Sequence, residues 1–127
     1  MTEKAASILV IEDELALRRR IARSLSLSGY DVAEAADGHQ GIVAAQELRP
    51  DLIICDMMMP ELNGFGTLAV LHDDERTASI PVIVITALGE VTTQDYAFFK
   101  GARRLLTKPF QLGALLEAVQ AELETAG

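Results

Sequence analysis

The sequence predicts an α/β domain built on a doubly wound, five-stranded parallel sheet with its strands in the order 2-1-3-4-5. Short apolar runs of strand length alternate with segments in which apolar residues recur every three or four positions, and this strand–helix pair occurs five times. Such alternation is typical of a parallel sheet with helices on both faces and right-handed crossovers. With 127 residues and 50% hydrophobic content, the chain is large enough for one domain with its own core.

Three of the five predicted strands are short, largely apolar runs bounded by charged or turn-forming residues, and the other two are of mixed composition. The five strands lie at 7–11, 31–35, 52–55, 82–85 and 104–107. The runs 8–11 and 52–55 within these strands are apolar throughout, which indicates strands buried on both faces. The run at 82–85 is entirely β-branched and is the most strand-prone of the set, whereas 31–35 is weaker.

The five predicted helices are recognised by apolar residues at helical spacing and by capping residues at their ends. They extend from Glu14 to Leu27, from a cap at Asp37 to Leu48, from Asn63 or Gly64 to a polar loop at 73–79, from Thr92 or Thr93 to Lys100, and from Gln111 to about Glu124. Gly29 and Gly101 fit the left-handed position that follows a last helical turn.

Composition and charge limit the classes of function. A formal net charge of −8 argues against nucleic-acid binding by this chain alone, so we expect protein partners and no direct nucleic-acid contact. The chain has no apolar run of about 18 residues, so we expect no membrane insertion. The single cysteine, Cys55, excludes an internal disulfide and fits a reducing cytoplasm; we interpret it as inert strand packing.

Polar residues follow four of the predicted strands. Glu12 and Asp13 come after the first strand, Asp56 after the third, Thr86 after the fourth and Lys108 after the fifth. The carboxyl ends of parallel strands meet at one edge of the sheet, so we expect these groups to converge there. A cluster of carboxylates suits Mg²⁺, and lysine and threonine can neutralise or donate to phosphoryl oxygens. The pattern therefore permits a site in which an aspartate accepts a phosphoryl group.

These motifs resemble those of the receiver domains of bacterial two-component response regulators, the CheY-like superfamily. The matching motifs are Glu12-Asp13, Asp56-Met-Met-Met-Pro60, Thr86-Ala87 and Lys108-Pro109-Phe110, in this order and each at a strand end. The likeness covers about 7–124 of a chain that we interpret as one receiver domain, 1–127. The resemblance implies a flavodoxin-like (βα)5 fold.

The resemblance also implies a chemistry for the site. Asp56 would accept a phosphoryl group from a phosphohistidine of a histidine kinase or a histidine phosphotransfer protein. Asp13, Asp56 and the backbone carbonyl of Met58 would ligate Mg²⁺ directly, and Glu12 would act through water. The domain would not be an enzyme in the usual sense, since it would catalyse only its own phosphorylation and dephosphorylation.

Contacts to the phosphoryl group and the transmission of the signal follow from the same resemblance. Lys108 and Thr86 would contact the phosphoryl group, together with the backbone of Met57 and Ala87. Movement of Thr86 would alter the face formed by the fourth helix, fifth strand and fifth helix, which would signal to a downstream protein target. The Lys108–Pro109 peptide bond would be cis.

Two departures from the family pattern predict altered behaviour. Leu105 stands three residues before Lys108, where receivers usually carry Tyr or Phe, so we expect an unusual readout with intact phosphorylation chemistry. Met58 and Leu88 flank the expected path of an attacking water, and neither can orient it by hydrogen bonding. We therefore expect slow loss of the phosphoryl group.

Three other functions are alternatives to this one. A haloacid-dehalogenase-like phosphatase would need a second aspartate where the chain has Met58. A flavin carrier would need a Ser/Thr/Gly-rich loop after strand one, where Glu12-Asp13-Glu14 would repel phosphate. A receiver that is not phosphorylated and serves only as a protein docking module stays open because of Leu105.

Basic residues are concentrated in two segments. The cluster Arg18–Arg23 is interpreted as a solvated helix face or, by resemblance, as a docking surface for the phosphodonor. Arg103-Arg104 could meet acidic residues of another subunit or partner. The last helix has no basic residue, unlike the helix through which winged-helix regulators dimerise, which favours a stand-alone regulator or a non-transcriptional output.

Overall fold

The computed structural model describes residues 5–87 and 102–126, which form a parallel sheet with helices on both faces. The strands are β1 Ser7–Ile11, β2 Asp31–Ala35, β3 Leu52–Asp56, β4 Val82–Ala87 and β5 Ala102–Lys108. The helices in the described part are α1 Leu15–Leu27, α2 Gly38–Leu48, α3 Gly64–Asp73 and α4 Leu112–Ala126. Helix α4 is the helix predicted as the fifth, since the predicted fourth helix lies outside the described residues. No described helix is both long and apolar enough to cross a bilayer.

All neighbouring strands run parallel in the order β2-β1-β3-β4-β5, which confirms the predicted fold class. The register aligns the carboxyl ends of the central strands: Asp56 lies opposite Ile85, and Ala87 lies opposite Lys108. The polar residues that follow these strands are consequently delivered to one edge of the sheet.

The sheet is covered on each face by a separate hydrophobic cluster. Leu9 and Ile53 point to the face covered by α2 and α3, whereas Ile8 and Leu52 point to the face covered by α1 and α4. Each of these four side chains is at most 1% exposed. Burial on both faces explains why β1 is apolar from Ile8 to Ile11 and β3 from Leu52 to Cys55. Cys55 is fully buried in the first cluster, and burial raises the pKa of its thiol, as the prediction of inert packing requires.

The predicted caps are present where short polar side chains were expected to start helices. The Asp37 carboxylate accepts a hydrogen bond from the Gln40 N–H at 2.8 Å, and the Asn63 side chain accepts from the Gly66 N–H at 3.0 Å. Gly29 has φ of +98°, as predicted for the residue that follows α1. Local sequence therefore fixes these helix ends.

Strand β5 was predicted too short. It begins at Ala102 rather than at residue 104 and ends at Lys108, with a register shift against β4 near Val82. Arg103 and Arg104 are both exposed, because β5 lies at the edge of the sheet among the described strands. An edge strand needs no continuous apolar run, so the hydrophobic pattern missed its first two residues.

Candidate functional site

Three carboxylates converge at the carboxyl edge of the sheet, as the strand ends predicted. Glu12 and Asp13 follow β1, and Asp56 is the last residue of β3. One oxygen from each lies within 4.8 Å of the other two. Glu12 is 0% and Asp56 2% exposed, whereas Asp13 is exposed. The arrangement is two buried acids with a third acid at the surface, a donor set of hard oxygens that fits a divalent cation.

Lys108 joins two of these carboxylates from the end of β5. Its Nζ lies 2.9 Å from Glu12 Oε1 and 2.9 Å from Asp56 Oδ2. Burial alone would lower the pKa of the ammonium group, but the hydrogen bonds and charges of Asp56 and Glu12 raise it above its usual value. Lys108 is therefore a fixed positive charge between two buried acids.

Glu12 is the acid of the site whose pKa is clearly raised. Burial raises the pKa of its carboxyl group to about 7, against the lowering effect of hydrogen bonds from the Glu14 N–H and from Lys108, and the nearby Asp56 raises it further. The Glu14 N–H donates to Glu12 Oε2 at 3.1 Å. Additional positive charge at this edge would favour the ionised form of Glu12.

The loop after β3 directs backbone groups at Asp56. The Met58 N–H donates to Asp56 Oδ1 at 3.0 Å. The Met57 N–H, which the resemblance assigns to the phosphoryl group, donates to the Ile85 carbonyl oxygen at 3.0 Å. Its role as a phosphoryl contact thus stays a prediction, and the amide that reaches the carboxylate here is that of Met58.

Gly64 closes this loop against the start of α3. Its N–H donates to the Met57 carbonyl oxygen at 2.9 Å. A Cβ atom at Gly64 would lie 2.5 Å from the Met57 Cα and 2.6 Å from the Asp56 carbonyl oxygen, so only glycine fits. The absence of a side chain at this position lets helix α3 approach the backbone that holds Asp56.

Thr86 supplies a buried hydroxyl at the end of β4. The residue is 1% exposed, and its Oγ1 has no hydrogen-bond partner among the described residues. A buried hydroxyl without a partner costs about 1–3 kcal/mol, so such a group is usually kept for a ligand or a second conformation. Ala87 follows it, half-buried and opposite Lys108 in the β4–β5 pairing.

Of the three residues that depart from the family pattern, the structure describes Met58 and Leu105. Met58 is 45% exposed beside Asp56, while Leu88 lies outside the described residues. Leu105 is half-buried and packs against the cluster on the α2–α3 face. The Lys108–Pro109 bond is cis, as predicted.

Sequence reasoning missed the position of Arg18. Its side chain is only 13% exposed, compared with 70% for Arg19, so the expectation of a solvated face is wrong for Arg18. Its guanidinium donates to the Glu12 carbonyl oxygen at 3.0 Å and to Glu34 Oε1 at 3.0 Å. The sequence did contain a signal, because Arg18 shares the inward stripe of α1 with Ile21 and Leu25 at helical spacing.

Arg104 finds its acidic partner inside the chain. Its Nε lies 2.7 Å from Glu122 Oε1 of α4, and Glu122 is buried. The alternative that Arg104 meets an acid of another subunit is therefore replaced by an internal ion pair between β5 and α4. Arg103 beside it is exposed.

Comparisons with known proteins agree with this geometry. The family model for the response regulator receiver domain matches residues 8–120. The DNA-binding dual master transcriptional regulator RpaA of Synechocystis is 43% identical over 116 residues, which cover 91% of this chain and 48% of that protein. Protein PilH of Pseudomonas aeruginosa is 34% identical over 118 residues, which cover 93% of this chain and 98% of PilH.

A solved structure shows the same likeness in three dimensions. Chemotaxis protein CheY4 of Vibrio cholerae superposes with a TM-score of 0.85 at 30% identity, covering 93% of this chain and 98% of CheY4. The chain spans about half the length of the first curated relatives that it matches, at 48%, 42% and 50%.

Proposed function

Since this chain belongs to the response regulator receiver family of two-component systems, we propose that Asp56 accepts a phosphoryl group from a phosphohistidine of a histidine kinase or histidine phosphotransfer protein. One observation carries the proposal. The Asp56 carboxylate is buried beside two other acids and is held by the Lys108 ammonium at 2.9 Å. An aspartate with a purely structural role would need neither the two neighbouring acids nor the lysine.

The transfer exchanges one bond for another. An Asp56 oxygen forms a bond to phosphorus while the bond between phosphorus and the donor imidazole nitrogen breaks; the electron pair stays on that nitrogen, which can then take up a proton. Lys108 balances charge on the phosphoryl oxygens, and the Thr86 hydroxyl can donate to one of them. The backbone of Met57 and Ala87 would complete the proposed contacts, and the Met57 N–H, which donates to the Ile85 carbonyl oxygen, would have to exchange that bond for one to the phosphoryl group.

Mg²⁺ belongs to the same proposal. Asp13, Asp56 and the Met58 carbonyl would hold the ion directly, with Glu12 acting through water, and the bound ion supplies positive charge that offsets the phosphoryl oxygens. The clustered carboxylate oxygens, within 4.8 Å of one another, support this assignment. Without the ion, Lys108 sets a single positive charge against three carboxylates.

Downstream of phosphorylation, we propose that the signal passes to a protein target through the face that includes β5 and α4. This chain would act in the cytoplasm, catalyse only its own phosphorylation and dephosphorylation, and make no direct contact with nucleic acid, as its charge of −8 favours. The DNA-binding relative RpaA is about twice as long as the region it shares with this chain.

Incubation with phosphoramidate and Mg²⁺, followed by intact-mass spectrometry, tests the proposal. We expect one added phosphoryl group, lost in Asp56→Asn and in the presence of EDTA. Asp51→Asn is the matched control, because Asp51 lies before β3 and accepts a hydrogen bond from the Ser7 N–H at 2.8 Å. If neither phosphoramidate nor beryllofluoride modifies or binds Asp56, the chemistry is wrong, and a docking module that is not phosphorylated becomes the better reading.

A further inference from the structure

Arg18 links three elements at the edge of the site. From α1, its side chain donates through one terminal nitrogen to the Glu12 carbonyl oxygen and through Nε to Glu34 Oε1, both at 3.0 Å. Glu34 belongs to β2 and also lies 3.6 Å from the more exposed Arg19. The guanidinium is thus held by the Glu34 carboxylate on one side while it binds the backbone that follows β1 on the other.

The backbone that Arg18 binds lies just beyond the sheet. The β1–β2 pairing ends with Ile11 opposite Ala35, and the Glu12 N–H makes one further hydrogen bond, to the Ala35 carbonyl oxygen at 3.1 Å. The Glu12 carbonyl oxygen, which precedes Asp13, is the acceptor of Arg18. Arg18 therefore fixes the peptide that joins the two acids, at the point where β-sheet hydrogen bonding to β2 has ended.

We propose that Arg18 is a positioning residue for cation binding: it holds the Glu12–Asp13 peptide so that both carboxylates face the ion. The inference rests on the Mg²⁺ site of the proposed function. Mutation of a residue that orients a metal ligand through a hydrogen bond typically lowers metal affinity about 10–100-fold. Arg18 would act in this way although its own charge has the same sign as the metal's.

That charge makes the test decisive. By Coulomb's law alone, loss of a positive charge near a cation site should tighten Mg²⁺ binding. Loss of a positioning hydrogen bond should weaken it. The two explanations for any effect of Arg18 thus predict opposite signs, and Arg19→Met supplies the purely electrostatic control because Arg19 shares Glu34 but makes no described contact with Glu12.

The experiment is a Mg²⁺ titration of the whole chain, followed by amide chemical shifts in two-dimensional NMR spectra. For Arg18→Met we expect the Mg²⁺ dissociation constant to rise roughly tenfold or more. Arg19→Met should leave it unchanged or slightly lower. Arg18→Lys should recover part of the affinity, because an ammonium group can still donate to the Glu12 carbonyl oxygen, and thermal unfolding checks that each variant folds.

The outcomes separate this inference from the proposed function. An Arg18→Met dissociation constant equal to or below that of the wild type overturns the positioning role while the metal site stands. Should Arg18→Met fail to fold, Arg18→Gln also removes the charge and the guanidinium but keeps a polar side chain, and a dissociation constant equal to or below that of the wild type in that variant refutes the role. A wild-type protein that shows no Mg²⁺ response refutes the metal site itself and this inference with it.

Discussion

Lys108→Met removes the one described cation that contacts both buried acids of the site. Its ammonium lies 2.9 Å from carboxylate oxygens of Glu12 and Asp56, whose side chains are 0% and 3% exposed. Breaking a buried ion pair by removing one partner costs about 3–5 kcal/mol. Because the Lys108 side chain is itself 24% exposed, water reaches the gap, and we expect the lower end, about 3 kcal/mol of unfolding free energy without Mg²⁺.

The loss should depend on pH through Glu12. Burial already raises its pKa from 4.5 to about 7, so in this range the folded state binds more protons than the unfolded state, and stability from this group falls as pH rises. Without Lys108, this pKa rises further. The wild type and Lys108→Met should consequently differ less at about pH 6, where Glu12 can be protonated, than at about pH 8.5.

Urea unfolding followed by circular dichroism measures both effects, in EDTA and then in Mg²⁺. Saturating Mg²⁺ should reduce the difference, because the bound ion supplies positive charge that the variant lacks. Arg103→Met removes an exposed charge from the same strand and should change stability by no more than about 0.5 kcal/mol at either pH. A Lys108→Met loss below about 1 kcal/mol, or one that does not vary with pH, would refute this account of the site.

Three further changes test separate parts of the structure. Gly64→Ala should destabilise the fold by about 1–3 kcal/mol in urea unfolding, because its Cβ would lie 2.5 Å from backbone. Gly113→Ala, whose Cβ would have no atom within 4 Å, should be neutral or stabilising. Equal effects of the two changes would contradict the steric reason. Thr86→Val should unfold at the same or a higher temperature, since it removes a buried hydroxyl without a described partner, yet still take up phosphate from phosphoramidate; a marked loss of stability would reveal a missed partner. Met58→Asn should accelerate phosphate loss in a time course of the phosphorylated protein, because an amide can orient the attacking water where the 45%-exposed thioether cannot. An unchanged rate would count against Met58 as the cause of slow hydrolysis.

Sequence alone determined the features that depend on local periodicity and on strand ends. Apolar runs predicted β1 and β3 correctly, and alternation with helices predicted the parallel sheet that the structure has. A residue that ends such a strand must lie at the carboxyl edge, so Glu12, Asp13 and Asp56 could be placed together without coordinates. The caps at Asp37 and Asn63 were equally local, since each side chain binds an amide three residues ahead.

Tertiary structure decided which side chains pair across long distances in the chain. The contact between Lys108 and Glu12 joins residues 96 positions apart, and the pairing of Arg104 with Glu122 joins β5 to α4. Spacing cannot reveal such pairs, because a long side chain can reach several partners and burial decides which one it needs. For the same reason the sequence predicted Arg18 to be solvated like its neighbours. In the structure, packing of α1 against the sheet turns Arg18 toward the Glu12 carbonyl oxygen. The sequence thus placed the acids and Lys108 at one edge of the sheet, and only the folded chain showed that Lys108 and Arg18 both bind Glu12.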